Sequence, residues 1–253
     1  MEQTDLKEKE VNPARMNAYQ FLSRAFIYPE EDLYSSLREE GFAEELNACF
    51  ASLANIHERE VSDLINSLAC SVRNISLENM QSEFSRIFGH SVSNECPPYE
   101  TEYGKSHVFQ KSQGLGDIAG FYKAFGLEAS DKAKERHDHI SIELEFMYFL
   151  IFKENYAREN SRTEESDICK DAQKNFLKDH LGLWVPLFTK LLGEKAGKGF
   201  YKLLAELTGN FMRSEVGFFK IEPEEIKELG SFKNIDDDAC ALCGGEEIGE
   251  VEA

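Results

Sequence analysis

The sequence is poor in the residues that build β-sheets and in those that interrupt helices. Only 6 of the 253 residues are proline, and valine and threonine are sparse beside leucine, glutamate, phenylalanine and lysine. Valine and threonine favour strands, whereas leucine, glutamate and lysine favour helices. No stretch alternates apolar and polar residues with the period of two that is typical of a strand. We therefore expect an all-α protein.

Positive charge is also scarce. The chain has 28 lysine and arginine residues against 47 aspartate and glutamate residues, which gives a formal net charge of −19. Such a surface repels nucleic acids and anionic membranes, and it attracts cations or basic peptides. Plain solubility would produce the same acidity, so charge alone does not distinguish a binding role from none. The sequence predicts no nucleic-acid partner.

Signals for membranes, secretion and disulfides are missing as well. No apolar stretch is long enough to span a bilayer. The first ten residues are mostly charged or polar and lack the apolar core of a signal peptide. The six cysteines are scattered through a large chain, which is not typical of a disulfide framework. We expect a cytoplasmic protein with no membrane span.

The common catalytic motifs are absent too. Gly114-Leu-Gly116 lacks the Lys-Ser/Thr of a phosphate-binding loop, and neither a serine nucleophile elbow nor His-Glu-x-x-His occurs. Cys240 and Cys243 have the spacing of a metal or redox pair. A closed zinc site needs four ligands, so this pair would need two more. We expect no enzyme and no cofactor; the alternative is a metal-binding helical protein or enzyme that uses Cys240 and Cys243.

The stretch 138–157 predicts a central helix. Its apolar residues cover the whole circumference of a helix, which is typical of a helix buried on all sides. Asp138 is the expected N-cap. We expect this stretch to be the central helix of a helical globule.

Two acids stand among the apolar residues of that helix. Glu143 and Glu145 each have apolar neighbours three and four residues away, so both are expected to be buried. A buried carboxylate must be paired or protonated. Structural pairing with neighbouring helices is the expected role, with catalysis as the alternative. His139, one turn before Glu143, is either a capping or core histidine or a binding residue.

The whole chain divides into three parts, the second of which contains a candidate hinge. Residues 1–11 predict a disordered tail, and 12–215 an all-α domain that starts at Asn12-Pro13. A charged, turn-like stretch at 128–137 is a candidate hinge. Residues 216–253 predict an acidic C-terminal tail that carries the Cys-x-x-Cys pair.

One internal stretch, 89–116, does not read as helix. Pro97-Pro98 favours an extended backbone, and a long non-helical segment in a helical domain is usually functional or disordered. Its aromatic residues favour packing over disorder. A short helix is expected to follow from Asp117. Further on, Gly182 and Pro186 are expected to kink or split a helix.

Three segments of the chain together resemble the TorD/DmsD/NarJ family of redox-enzyme maturation chaperones. They are Cys-Pro-Pro-Tyr-Glu-Thr-Glu-Tyr at 96–103, Asp-His-Ile-Ser-Ile-Glu-Leu-Glu-Phe-Met at 138–147 and Phe-Leu-Lys-Asp-His-Leu-Gly-Leu-Trp-Val-Pro at 176–186. The resemblance covers roughly residues 14–215 and implies a single all-α globular bundle of about ten helices around the central helix 138–157. It implies a cytoplasmic chaperone that binds the apo catalytic subunit of a molybdopterin oxidoreductase of the dimethyl-sulfoxide-reductase type during cofactor insertion.

The resemblance also implies a binding site. Many members of the family also bind the N-terminal twin-arginine signal peptide of the catalytic subunit. The family's Pro-Asp-His pattern falls on His137, Asp138 and His139, so the proline is replaced here. The resemblance implies that the peptide is bound by Pro97, Pro98, Tyr99, Glu100, Tyr103, Asp138 and His139.

Elementary chemistry agrees with a peptide of this kind. Asp138, Glu100 and Glu102 are candidate partners for a guanidinium group. A groove lined by Tyr99, Tyr103 and Phe109 would take the apolar part of the peptide. The sequence leaves open a monomer or a dimer swapped across 128–137.

Overall fold

The computed structural model describes residues 2–53, 58–89, 95–104, 108–128 and 135–229. Within these ranges the chain forms ten α-helices and no strand, which confirms the all-α prediction. The helices are α1 (Glu2–Ala25), α2 (Glu31–Leu37), α3 (Phe42–Ala51), α4 (Glu58–Arg73), α5 (Leu77–Phe88), α6 (Val108–Ala124), α7 (Ile140–Glu159), α8 (Thr163–Phe176), α9 (Gly182–Ala196) and α10 (Phe200–Phe219). A 3₁₀ turn spans Glu100–Glu102, and a π-helical turn spans Leu177–Leu181.

Helix α7 is central, but it is not enclosed on every side. It packs against α1 and α8, and Leu144, Met147 and Leu150 on it are fully buried. The opposite face is open, since Phe152 is 48% exposed and Tyr156 is 49% exposed. Glu145 lies on this open face and is exposed. The prediction that Glu145 is buried is therefore wrong, because a helix apolar all round does not reveal which face its neighbours leave uncovered.

The first and last helices extend past the boundaries expected for the all-α domain. Helix α1 begins at Glu2 and contains Asn12-Pro13 in its interior. Asn12 is buried and donates from Nδ2 to Asn155 Oδ1 at 3.1 Å. Helix α10 continues to Phe219 and packs against α9 and α4. The division into a domain and two tails stays a prediction.

Residues 221–229 form an extended segment that we call the C-terminal strap. Ile226 N donates to Leu183 O at 2.8 Å, and Gly104 N donates to Glu228 O at 3.0 Å. The strap thus ties α9 to residues 95–104, which we call the proline segment. Residues 230–253, with Cys240 and Cys243, lie outside the described residues.

The junction of α8 and α9 is interrupted where the sequence indicated. The π-helical turn ends at Leu181, and α9 starts at Gly182. A Cβ atom at Gly182 would lie 2.5 Å from Leu177 O and 2.7 Å from Pro223 of the strap, so the crossing of the strap requires glycine. Pro186 lies near the start of α9 and does not end it.

Helix α6 begins earlier than predicted. It starts at Val108 rather than at Asp117, so Gly114 and Gly116 lie within the helix. The expected non-helical stretch 89–116 is therefore too long at its C-terminal end. Of that stretch, the proline segment is described and is mostly extended, with one 3₁₀ turn.

Candidate functional site

The proline segment lies along the residues that lead into α7. Pro98 O accepts from Ile140 N at 2.9 Å, and Glu100 N donates to Asp138 O at 2.9 Å. Tyr99 and His139 form an isolated antiparallel bridge. This pairing brings all seven residues of the predicted binding site into one region of the molecule.

Several members of that set are buried rather than available to a ligand. Pro97 and Pro98 are buried, and Tyr103 is 5% exposed. The Tyr103 hydroxyl donates to Pro97 O at 2.8 Å, and its ring lies 5.1 Å from that of Trp184. Pro97, Pro98 and Tyr103 are thus packed inside the fold, and their contact with a peptide stays a prediction. The side chain of Phe109 lies outside the described residues.

His139, not Asp138, caps α7. Its Nδ1 accepts from Ser141 N at 3.2 Å and lies 2.7 Å from Ser141 Oγ. An acceptor Nδ1 requires the neutral ring in this role. Burial lowers the pKa of His139 to about 4, so the ring stays neutral at physiological pH and the capping interpretation is the one the geometry supports.

Asp138 is fully buried beneath the guanidinium group of Arg136. Arg136 Nε donates to Asp138 Oδ1 at 2.9 Å, and Nη2 donates to Oδ2 at 2.8 Å. The Thr101 hydroxyl donates to the same Oδ2 at 2.8 Å, and Thr101 N lies 3.2 Å from it. Asp138 is 0% exposed, while the Arg136 side chain is 41% exposed. Asp138 therefore binds a guanidinium group, as expected, but the group belongs to this chain.

Two further residues complete the surroundings of that guanidinium group. Glu102 Oε1 accepts from Arg136 Nη2 at 3.3 Å, and the Arg136 Cζ atom lies 4.4 Å above the Tyr99 ring. Carboxylates that accept paired N–H groups, with an aromatic ring against the flat face, are the surroundings that suit arginine over lysine. We call Tyr99, Thr101, Glu102 and Asp138 the guanidinium cradle.

Two interactions at the edge of the cradle hold its members in place. The Tyr99 hydroxyl donates to Glu135 Oε2 at 2.6 Å. Lys111 Nζ of α6 lies 2.6 Å from Glu102 Oε2, on the side away from Arg136. The carboxylate of Glu102 is thus shared between a lysine and an arginine.

A second acidic group lies deeper, under the 3₁₀ turn. His180 Nδ1 lies 3.0 Å from Glu100 Oε1, and Trp184 Nε1 donates to Glu143 Oε2 at 3.1 Å. Glu143 is fully buried. Burial raises the pKa of Glu143 well above its usual value, and the charge of Glu100 and a hydrogen bond to it raise it further. Glu143 thus ties α7 to α9 through Trp184, and its Oε1 atom is buried without a hydrogen-bond partner.

His137, which stands where the family has proline, is fixed by α6. Its Nε2 lies 3.0 Å from Leu115 O, and its carbonyl oxygen accepts from the Tyr122 hydroxyl at 2.8 Å. The lost proline is thus compensated by hydrogen bonds. Residues 129–134 of the candidate hinge lie outside the described residues, so the hinge stays a prediction.

A cleft of about 630 Å³ lies beside this region, between α6 and the π-helical turn. Its lining combines small and aromatic residues with acids: Gly116, Asp117, Gly120, Phe121, Ala124, Asp179 and His180. His180 joins the cleft to the site, because its ring also lies against Glu100. The acidic members suit a cationic ligand and the rest suit an apolar one.

Among the described residues, no cluster of histidine, cysteine, aspartate or glutamate side chains could hold a metal ion. The helices in the described ranges include none that is long and apolar enough to cross a membrane. Cys240 and Cys243 lie outside those ranges, so their metal-binding role stays a prediction.

Comparison with known proteins identifies the family of this chain. A family model described as the nitrate reductase delta subunit matches residues 39–190. This chain belongs to the nitrate reductase delta subunit family. The match contains the proline segment, the cradle and Glu143.

Relatives of this delta-subunit family chain are named as chaperones. The perchlorate reductase assembly chaperone protein of Dechloromonas aromatica (strain RCB) is 26% identical over 206 residues, or 79% of this chain and 87% of that protein. The chaperone protein TorD of Aliivibrio salmonicida (strain LFI1238) is 23% identical, covering 82% of this chain and 95% of that protein. The chlorate reductase assembly chaperone protein of Ideonella dechloratans is 22% identical, covering 86% and 96%.

Sequence reasoning missed two members of the site in this delta-subunit family chain. Arg136 was read as part of a charged, turn-like stretch, and Thr101 was not singled out. The one available signal for Arg136 was its position two residues before Asp138, since a guanidinium at that distance can reach the carboxylate. Nothing in the sequence indicated that it would also reach Glu102, 34 residues away.

Proposed function

We propose that this protein is a dedicated assembly chaperone, which binds the catalytic subunit of a molybdopterin reductase before its cofactor is inserted. The family membership supports this role, as do the relatives named as assembly chaperones for perchlorate and chlorate reductases. The role requires binding and release of a client, and no catalytic step. It is carried out in the cytoplasm, where apo subunits are made.

The client contact in this proposal is an arginine of the N-terminal segment of the catalytic subunit. The observation that carries it is the guanidinium cradle, in which Asp138 already accepts two hydrogen bonds from one guanidinium group at 2.8–2.9 Å. The apolar residues that follow the arginine occupy the cleft beside α6, near Phe121 and Ala124. The net charge of −19 steers a cationic segment toward the protein.

Affinity capture from the native host tests this function. The protein serves as bait, and mass spectrometry identifies the captured chains. We expect a large molybdopterin-reductase subunit among them. Recovery of no such subunit from cells that express the reductase would contradict the proposal.

A matched pair of bait variants tests the client contact. Glu102→Gln removes one negative charge from the cradle, where the Glu102 side chain is 12% exposed. Glu145→Gln removes the same charge from the open face of α7. We expect weaker capture with Glu102→Gln and unchanged capture with Glu145→Gln. Equal capture by both variants would exclude Glu102 from the client contact.

A metal-dependent enzyme that uses Cys240 and Cys243 is not favoured by any observation on the described residues. The state of assembly, monomer or swapped dimer, stays a prediction.

A further inference from the structure

The guanidinium cradle is already occupied by a side chain of its own protein. Arg136 makes two parallel hydrogen bonds to Asp138, and the same Nη2 atom also contacts Glu102 and Thr101. Asp138 has no exposed surface, because Arg136 and Thr101 cover both of its oxygens. A guanidinium from another chain can reach Asp138 only by taking the place of Arg136.

We propose that Arg136 is an internal competitor, which holds the arginine site of the client in the free protein and leaves it when the client binds. This inference rests on the proposed function. It makes Arg136 a residue whose displacement sets how strongly the client arginine is bound.

The position of Arg136 allows the exchange. Its side chain is 41% exposed, so it can swing into solvent without disturbing the core. Its backbone stays in place, since Arg136 O accepts from His139 N at 3.0 Å, next to the cap of α7. The cradle itself is rigid, because Thr101 and Glu102 belong to the 3₁₀ turn and Tyr99 pairs with His139.

The cradle itself favours arginine over lysine. A client arginine restores both bonds to Asp138 and the stacking on Tyr99. A lysine offers a single ammonium group and cannot restore two parallel bonds. Any cation must first displace Arg136, so the internal arginine lowers the apparent affinity for each of them by the same factor.

Calorimetric titration of the purified full chain tests the competition. The probes are two synthetic peptides, one with an Arg-Arg pair followed by an apolar stretch and one with Lys-Lys in the same place. We expect Arg136→Gln to bind the Arg-Arg peptide on the order of tenfold more tightly than the unmodified protein, since the competing side chain is gone. We expect the ratio between the affinities of the two peptides to stay the same, because the competing side chain weakens the binding of both by one factor. Unchanged or weaker binding of the Arg-Arg peptide by Arg136→Gln would overturn the inference.

Lys111→Gln is the matched control. It also removes one positive charge, and it removes it from the other oxygen of Glu102, 2.6 Å away. A general gain in electrostatic attraction would raise the affinity of both variants equally, and that result would overturn the inference. A gain confined to Arg136→Gln supports it.

A measurement on the unmodified protein avoids any loss of folding in the variant. Arg136→Lys identifies the nuclear magnetic resonance signal of the Arg136 Nε–H group, which is protected from solvent exchange by Asp138 in the free protein. We expect that protection to disappear when the Arg-Arg peptide saturates the protein. Retained protection at saturation would overturn the inference.

The failure of the inference and the failure of the proposed function look different. If the unmodified protein prefers the Arg-Arg peptide but Arg136→Gln gains nothing, the inference fails and the function stands. If neither peptide binds to either protein and affinity capture yields no reductase subunit, the proposed function fails, and the inference fails with it.

Discussion

The Arg15–Glu215 and Arg136–Asp138 pairs have nearly the same bonds and opposite surroundings. Arg15 Nε and Nη2 donate to the two oxygens of Glu215, each at 2.7 Å, and Arg15 Cζ lies 4.4 Å from the Phe218 ring. Arg136 forms the equivalent pair with Asp138 over Tyr99. The Arg15 and Glu215 side chains are each 1% exposed, whereas Arg136 is 41% exposed.

The difference in exposure separates structure from binding. The Arg15–Glu215 pair joins α1 to α10 inside the core, with the Tyr19 hydroxyl donating to Glu215 at 2.9 Å. Neither partner can leave without abandoning a buried charge. In the Arg136–Asp138 pair only the carboxylate is sealed, so the guanidinium can leave and another can enter. The same type of ion pair thus holds two helices together at Arg15–Glu215 and forms an exchangeable contact at Arg136–Asp138.

The largest expected effect contrasts the two pairs by the same substitution. We expect Arg15→Gln to lower the free energy of unfolding by about 3–5 kcal/mol, because it leaves Glu215 buried and unpaired. We expect Arg136→Gln to cost about 1–3 kcal/mol, since Thr101 still donates twice to Asp138. Urea denaturation of each variant measures both values.

An exposed arginine provides the baseline for that contrast. Arg213 is exposed and donates to Asn210 on its own helix, so Arg213→Gln should change stability by no more than about 0.5 kcal/mol. Equal losses for Arg15→Gln and Arg136→Gln would break the comparison and make Arg136 a structural residue.

How far the sequence predicts this fold is clearest along α7. The period of the apolar residues predicts the helix itself, and the stretch 138–157 agrees with Ile140–Glu159 to within two residues at each end. The same pattern cannot orient the helix, because Phe152 and Tyr156 are apolar yet exposed. Which face is covered depends on where α1 and α8 pack, and that is a property of the whole fold.

The candidate site, like α7, is predicted from the sequence only in part. The resemblance to a family predicts that the proline segment and Asp138 belong together, and they do lie together. It does not predict that Asp138 is already paired, since Arg136 lies outside the shared motifs. The choice of cap also depends on detail: Asp138 and His139 both suit the role, and the backbone pairing of Pro98 with Ile140 turns Asp138 away from α7.

The next prediction concerns the burial of His139 and its effect on how stability changes with pH. Because burial lowers its pKa from 6.5 to about 4, the unfolded chain takes up a proton in this interval that the folded protein does not. The contribution of His139 to stability is therefore fully present above pH 6.5 and is lost as the pH falls toward 4, by up to about 3 kcal/mol. His139→Asn keeps a capping side chain that does not titrate. We expect its unfolding free energy to fall less steeply with decreasing pH.

The readout for His139 is the slope of stability against pH, measured by urea denaturation. Asparagine also removes the ring that packs 5.1 Å from Tyr99, so stability at a single pH would mix the two effects. Parallel pH profiles for the variant and the unmodified protein would mean that His139 is open to solvent.

Glu143 gives a sealed acid to compare with the exchangeable site. We expect Glu143→Ala to lower the free energy of unfolding by about 1–3 kcal/mol, because Trp184 Nε1 loses its acceptor in the core.

Glu143→Gln keeps the acceptor and cannot ionise. Since the pKa of Glu143 is raised above 4.5, its contribution is fully present below that pH and is lost as the pH rises toward the folded pKa. We therefore expect Glu143→Gln to be at least as stable as the unmodified protein at neutral pH. A large loss in Glu143→Gln under those conditions would show that the charged form is the stabilising one.

The smallest expected effect concerns Glu145, two residues further along the same helix. Its carboxylate is exposed beside Phe152 and Tyr156, so Glu145→Ala should change the free energy of unfolding by no more than about 0.5 kcal/mol. Glu143→Ala removes the same atoms from the buried side of α7. The difference between the two losses in unfolding free energy therefore measures the effect of burial. A loss at Glu145 as large as that at Glu143 would mean that the open face of α7 is covered in solution. Both faces of α7 would then be buried. The exposure of a carboxylate in this structure could not be used to decide whether it is structural or exchangeable.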